Sequence, residues 1–407
     1  MFHVRAVLMA WSASVFVGCA TPGSEGPAEV ADPAGQGRHL ACGVVVTPIG
    51  LEGYAAIVPS LDEDVQITLS ETLPLGAGGY CAFGAGAIWG SSEESAEVTK
   101  FEVTEDDQFE DRGTLSFAGE GVTRIYAGRT LFQFVSPTKA YYVDSDAPQV
   151  IVFDPEALAV RSTIPLEPLA PAPNATIRAS AVLRGDQLVI TAGYYADPVN
   201  LSEVRIAVVD TVTDEVTFAS TEVCGGQGAT GVTLAADGTV FVSSNTWSSA
   251  AWRAGDPGAF PACAVRIPPD GRAFDDDSYV ELSTITGVET TGELVAAPDG
   301  SGFLYAFDES SADVPSEPST SNIRDAVAWE LYRIDDLRAD GPLVAERVVG
   351  FGPSAGWTTA HIVDGRVYFS EVAQYFQSTT LVDVTEPDEV RRALTAPGVL
   401  FAVHPLR

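Results

Sequence analysis

Lysine is almost missing from this chain: Lys100 and Lys139 are the only two among 407 residues. Basic residues number 22 against 56 acidic ones, and the formal net charge is −34. A body so negative repels phosphate backbones and anionic head groups, which excludes nucleic acid as a partner. Histidine is also scarce. Beyond the first residues only His39, His361 and His404 occur, too few and too dispersed in sequence for a metal triad. Neither Cys-x-x-Cys nor His-x-x-x-His spacing is present, so a structural zinc site is disfavoured. Long amphipathic helical patterns are absent as well, which excludes a helical bundle. What remains is a hydrophobic content of 46%, enough to build a large core. The acids are scattered, as in Asp62-Glu63-Asp64, Asp106-Asp107, Glu110-Asp111 and Asp275-Asp276-Asp277. Such runs suit turns, where Asp also satisfies backbone donors, and they read as solvation rather than as a metal store.

A short phrase recurs along the sequence. A strand-like run ends in Asp-Gly or a close relative and is followed at once by a second apolar run. It occurs at Gly185-Asp186, Asp237-Gly238, Asp299-Gly300 and Asp364-Gly365. The companion half is an apolar strand closing in an acidic or Pro-bearing turn, as in Val152-Phe153-Asp154-Pro155-Glu156 and Arg333-Ile334-Asp335-Asp336. Four-stranded units repeating every roughly 45–65 residues mark a β-propeller. Blade 3 is read as Thr130–Val135, Ala140–Asp144, Gln149–Asp154 and Val160–Leu166. Residues 42–75 supply three strands, Cys42–Val46, Tyr54–Val58 and Val65–Leu75, and lack a first one. Val399–Val403 is left over at the other end. Placing it in blade 1 predicts an all-β, seven-bladed propeller closed by its two termini, with no sheet edge left open.

The N-terminus reads as a targeting segment. Arg5 precedes an apolar stretch from Ala6 to Gly18, too short for a permanent bilayer span, which ends in Phe16-Val17-Gly18-Cys19. This resembles a bacterial lipoprotein cleavage box. Cys19 would then be lipidated, and Ala20 to Gly37 would form a Pro-, Gly- and Ala-rich tether. An ordinary signal peptide with a chance cysteine is the alternative. The expected organisation is a signal peptide over 1–18, anchor and tether over 19–38 and the propeller over 39–407. The expected location is the cell envelope, at the outer rather than the inner membrane, since Ala20 rather than Asp follows Cys19. Four further cysteines in an exported chain suggest two disulfides, with Cys42–Cys81 and Cys224–Cys263 favoured because each would link strands of one blade or of neighbouring blades.

Propellers carry their B–C loops and D–A links on one face. These loops are expected to be short in blades 1 to 3 and long in blades 4 to 7. The long ones bring Tyr194, Tyr195 and Asp197, then Trp247, Trp252, Arg253 and Asp256, then Asp308, Glu309, Asp313, Glu317, Asn322 and Arg324, then Tyr375, Phe376 and Gln377. Aromatics mixed with polar groups suit a ring-bearing or extended ligand, or a protein partner. Loops that merely pack on themselves are the alternative. No catalytic set is expected. Gly352-Pro353-Ser354-Ala355-Gly356 matches G-x-S-x-G, but it links two blades instead of joining a strand to a helix, so it reads as a tight turn. No metal ligands are assigned. Asn245 and Glu293 leave calcium open as an occupant of the central channel, without diagnostic spacing.

The stretch Phe134-Val135-Ser136-Pro137-Thr138-Lys139-Ala140-Tyr141-Tyr142-Val143-Asp144, with Gln149-Val150-Ile151-Val152-Phe153-Asp154-Pro155-Glu156, resembles exported propeller lipoproteins of myxobacteria. One such family accompanies myxochelin-type siderophore iron uptake. The resemblance implies the propeller fold, a lipid anchor and an accessory role in iron acquisition, and it brings no catalytic residues. The expectation is therefore a monomeric, non-enzymatic envelope protein that binds a small ligand or another envelope protein. A scaffold for an envelope complex and a calcium-dependent propeller hydrolase or lactonase are the alternatives.

Overall fold

The computed structural model describes residues 37–48, 50–125, 130–170, 177–193, 203–225, 231–312, 314–338, 342–357 and 359–406. Within them the chain forms seven sheets, antiparallel apart from one short added strand, a seven-bladed β-propeller. Blade 1 takes its strand A from the C-terminus, Val399–Pro405, followed by His39–Thr47, Gly50–Val58 and Leu73–Ala77. Blade 2 is Tyr80–Gly84, Ala87–Ser91, Glu97–Val103 and Phe109–Ser116. Blade 3 is Phe132–Ser136, Lys139–Asp144, Gln149–Asp154 and Ala159–Pro165. Blade 4 is Arg178–Arg184, Gln187–Gly193, Val204–Asp210 and Val216–Thr221. Blade 5 is Gly231–Leu234, Val240–Ser243, Cys263–Ile267 and Asp275–Glu281. Blade 6 is Thr291–Ala296, Gly302–Phe307, Trp329–Ile334 and Ala345–Arg347. Blade 7 is Ala360–Val363, Arg366–Val372, Ser378–Asp383 and Arg391–Pro397.

In blades 3 and 4 the third strands are buried on both faces and read as nearly continuous apolar runs, while their outer strands are largely turned to solvent. The A–B turns use the expected glycines in left-handed backbone: Gly185, Gly238, Gly300 and Gly365 have φ of 55°, 88°, 91° and 77°. The core lies between blades. Trp89, Phe117, Phe132, Tyr142 and Phe153 fill the space between blades 2 and 3, with Phe117 stacked on Tyr142 at 5.3 Å. Phe303, Tyr305, Trp329 and Phe369 do the same between blades 6 and 7.

Ring closure follows the sequence expectation. His39 to Val44 pair antiparallel with Val399 to Pro405, with one register shift at Cys42/Gly43. One reading needs correction. The single strand expected over Val65–Leu75 is broken by a 3-10 turn at Leu69–Glu71, and only Leu73–Ala77 joins blade 1. Val65–Gln66 instead adds parallel to the outer strand of blade 7. The reason is a contact with residues distant in sequence. Asp62 accepts from Arg366 Nη1 at 2.7 Å, and Arg391 Nη1 donates to its carbonyl at 3.0 Å. Val65 and Ile67 then pack on the cluster containing Leu381 and Leu394. The result is a fifth strand that covers an otherwise open sheet edge.

Both expected disulfides are present, and both join neighbouring blades. Cys42 lies in blade 1 and Cys81 in blade 2, while Cys224 follows blade 4 and Cys263 lies in blade 5. Each closes a sequence separation of 39 residues. A loop of that size constrains the unfolded chain by about 4 kcal/mol in the chain-entropy treatment. The Cys224→Ser/Cys263→Ser protein should therefore lose about 2–4 kcal/mol in urea unfolding. A loss below about 1 kcal/mol would assign the bridge no structural role.

Candidate binding face

On one face of the ring, two of the long B–C connections fold into helices that sequence patterning did not reveal, since such short pieces carry too few turns to display a period. Helix α1, Thr246–Ala254, lies in blade 5. The Asn245 side chain caps it by accepting from Ser248 N–H at 2.9 Å, and Gly255 ends it in left-handed backbone. Its small residues Ser249, Ala250 and Ala251 are buried, and Ser249 Oγ donates to the Thr291 carbonyl at 2.8 Å. A short helix α2, Ser283–Thr286, sits in the link to blade 6. Helix α3, Thr320–Asp325, opens with a Ser319/Asn322 capping box in the B–C loop of blade 6. Buried Trp329 holds it from below, its indole N–H donating to the Ile323 carbonyl at 3.1 Å.

Helices α1 and α3 meet the link that carries Gly352-Pro353-Ser354-Ala355-Gly356. Gly356 N–H donates to the Arg324 carbonyl at 2.6 Å, and the Thr246 hydroxyl donates to the Gly356 carbonyl. A side chain at Gly356 would run into the Trp329 indole and the Arg324 carbonyl, which explains the glycine. Ser354 is fully buried. Its hydroxyl donates to backbone carbonyls and accepts from Val372 N–H at 2.9 Å, so the motif is a structural link, as its position between blades implies.

The predicted site residues fall into three groups. Trp247, Arg324 and Phe376 come together in one column. The Arg324 guanidinium lies 4.4 Å from the centre of the Trp247 ring and 4.8 Å from that of Trp357, and Trp357 packs on Phe376 at 5.1 Å. Asp325 completes it, accepting from Arg324 Nη2 at 2.9 Å and from the Trp357 indole at 3.2 Å. A guanidinium flanked by two indoles and paired with a carboxylate contributes about 1–2 kcal/mol of cation–π attraction. Blades 5, 6 and 7 are thereby tied together. Trp357 belongs to this column and was not among the sequence candidates. It lies in an inter-blade link just after the glycine motif, outside the B–C loops that mark the site in the sequence.

Trp252, Arg253 and Tyr375 form the second group, at the surface. Arg253 Nη2 donates to Glu309 Oε2 at 3.1 Å. That hydrogen bond holds the Glu309 carboxyl below the usual glutamate range and raises the Arg253 guanidinium, so the pair stays ionised at neutral pH. Trp252 is 37% exposed and Tyr375 73% exposed. Tyr375 and Phe376 both have φ of 56°, two consecutive non-glycine residues in left-handed backbone. Such backbone costs on the order of 1 kcal/mol or more per residue and collects at ligand clamps. Here it turns the phenol of Tyr375 outward while Phe376 packs inward. The blade 7 loop achieves this with only five residues, 373–377, no more than the 92–96 loop of blade 2, so the expectation of a long loop there is corrected.

The third group, Tyr194 and Tyr195 with Asp197, lies outside the described residues, as do Asp313 and Cys19. Asn245, expected to reach toward the channel, is used as a helix cap instead. Glu293 sits in left-handed backbone in strand A of blade 6, its N–H bonded to the Ser244 carbonyl. Among the described residues no three His, Cys, Asp or Glu side chains gather as metal ligands. Ring closure does bring His361 and His404 to one cavity of about 220 Å³, shared with Phe83 and Thr130, although they lie far apart in the sequence. His361 Nε2 is 3.0 Å from Thr359 Oγ1, and His404 Nδ1 is 3.2 Å from the Pro405 carbonyl.

No protein-family profile matches the sequence, and no curated protein does. Solved structures match the fold. A candidate 6-phosphogluconolactonase from Bacteroides uniformis is similar with a TM-score of 0.52 at 11% identity, over 90% of this chain and 98% of that one. A functionally unknown protein from Desulfotomaculum acetoxidans gives 0.51 at 11% identity, over 90% and 99% of the two chains. At such identity the likeness extends to the propeller fold alone.

Proposed function

We propose that this chain is a lipid-anchored protein of the bacterial cell envelope that binds a partner through the helical face of blades 5 to 7, without catalysing a reaction. One observation carries the reading. The Trp247–Arg324–Trp357–Phe376 column makes a rigid platform beside which strained backbone holds Tyr375 out to solvent. The backbone that packs Phe376 on Trp357 also turns Tyr375 outward, and an exposed ring beside a packed aromatic column suits a partner that covers it. Anchoring rests on the Phe16-Val17-Gly18-Cys19 box and the tether composition. Among the described residues no helix is long and apolar enough to cross a membrane. An accessory role in siderophore-linked iron uptake enters through the resemblance in blade 3.

The hydrolase alternative has less support. The serine of the glycine motif is buried on backbone carbonyls, and Asn245 is committed to α1. The test is cross-linking in intact envelopes. Wild-type protein should capture a discrete species. Trp252→Ala/Tyr375→Gly protein should lose at least tenfold of it while unfolding at the same urea midpoint, since both side chains are exposed and glycine accepts the left-handed backbone. Equal capture by the two proteins would move the binding site off this face.

A further inference from the structure

The chemistry of this face selects among occupants. Resting on the reading that blades 5 to 7 form the binding surface, we infer that the partner presents a basic, extended segment whose arginine or lysine side chains lie against Trp252 and Tyr375. Among the described residues the face has no cation to spare. Arg324 is enclosed by two indoles and paired with Asp325, and Arg253 is paired with Glu309. The same loops and the link to blade 6 carry Asp256, Glu289, Glu309 and Glu317, all exposed. Glu289 is close enough to act on the Arg253 charge. Glu309 keeps its charge well below neutral pH because Arg253 donates to it. Negative charge is thus in surplus on the connections of blades 5 and 6 that form this face, inside a chain of net charge −34. An anionic ligand would enter against that field with no unpaired guanidinium to receive it.

The rings supply the second half of the argument. A guanidinium is attracted to the face of an indole or phenol, more strongly when carboxylates lie near. The protein already uses this arrangement within itself. Arg324 between Trp247 and Trp357, with Asp325 alongside, shows how this surface receives a guanidinium, and Trp252 and Tyr375 offer rings of the same kind on the solvent side. Segments recognised this way combine ring stacking with charge, so binding weakens as salt rises without disappearing at physiological ionic strength.

The experiment measures fluorescence anisotropy of three labelled twelve-residue peptides, alternating Arg-Gly, Glu-Gly and Ser-Gly, against the full mature chain at 150 mM salt. The Arg-Gly peptide should bind at least tenfold more tightly than the Ser-Gly peptide, and the Glu-Gly peptide should not bind. Trp252→Ala/Tyr375→Gly and Glu309→Gln/Asp256→Asn proteins should each lose at least fivefold in affinity for it. Glu63→Gln/Asp335→Asn, which removes the same charge from exposed turns on other surfaces, should change it less than twofold. Equal losses from both charge variants would show a diffuse field rather than a site and would overturn the inference. Preference for the Ser-Gly or Glu-Gly peptide, abolished by Trp252→Ala/Tyr375→Gly, would overturn the basic segment yet keep the face as the binding surface. Binding of the Arg-Gly peptide that is indifferent to Trp252→Ala/Tyr375→Gly would overturn both.

Discussion

Removal of residues 398–407 will leave a chain that no longer folds to a stable monomer. Strand A of blade 1 comes from nowhere else: Val399–Pro405 pairs along His39–Val44 and seals the ring. Without it blade 1 keeps three strands and presents an unpaired edge toward the channel, the geometry that invites association between chains. Leu400 is fully buried, Val399 and Val403 nearly so, and Phe401 packs on Tyr80 at 5.3 Å. Burying side chains of this size is worth about 1.5–3 kcal/mol each. Three of them approach the whole stability of an ordinary domain, about 5–15 kcal/mol. Polar contacts are lost as well. Thr359 Oγ1 donates to the Leu400 carbonyl at 3.1 Å, and the Thr379 hydroxyl donates to the Gly398 carbonyl at 2.7 Å. Size-exclusion chromatography and urea unfolding check this result. A truncated chain that elutes as a monomer and unfolds at the intact midpoint would contradict closure by the C-terminal strand.

Trp329→Ala should be the most damaging single substitution near the binding face, at about 3–5 kcal/mol. The indole is completely buried between blades 6 and 7 and lies 5.4 Å from Phe307. It also performs a second task, since its N–H holds the C-terminal half of α3 through the Ile323 carbonyl. The backbone of the same residue exchanges hydrogen bonds with Ser354, both at 2.9 Å, so strand C of blade 6 and the glycine link are fixed together here. Loss of the ring would therefore loosen α3, and with it Arg324 and Trp357. Trp329→Phe separates the two tasks. It keeps most of the buried volume and removes the N–H bond, so a cost of about 1–2 kcal/mol is expected. The near-ultraviolet circular dichroism of the stacked indoles should fall with Ala far more than with Phe. An Ala variant with wild-type stability and spectrum would show that Trp329 does not support the face.

Much of this was legible because a propeller repeats its local grammar. The A–B turns of blades 4 to 7 pair Asp with a glycine in left-handed backbone, and buried strands such as Gln149–Asp154 and Val204–Asp210 are mainly apolar. The leftover strand at the C-terminus and the missing one at the N-terminus solved each other arithmetically. The even cysteine count worked likewise, because neighbouring blades bring the pairs within reach. The failures have a common origin in non-local contact. Val65–Gln66 leaves blade 1 because Arg366 and Arg391, three hundred residues on, grip Asp62. Nothing near Trp357 in sequence announces Arg324 or Phe376, and the short helices α1 and α3 exist because caps and buried neighbours hold them.

The amino-acid sequence by itself determined the number of blades, the way the ring closes, the disulfide pairs and the predominance of negative charge. These depend on backbone conformation, apolar patterning and composition, which act within a blade or sum over the chain. Only the tertiary structure decided which loop residues became scaffold and which stayed at the surface. Whether an aromatic ring is spent on a neighbouring guanidinium, as Trp247 and Trp357 are, or left to solvent, as Tyr375 is, depends on what the adjacent blades bring within a few ångströms of it.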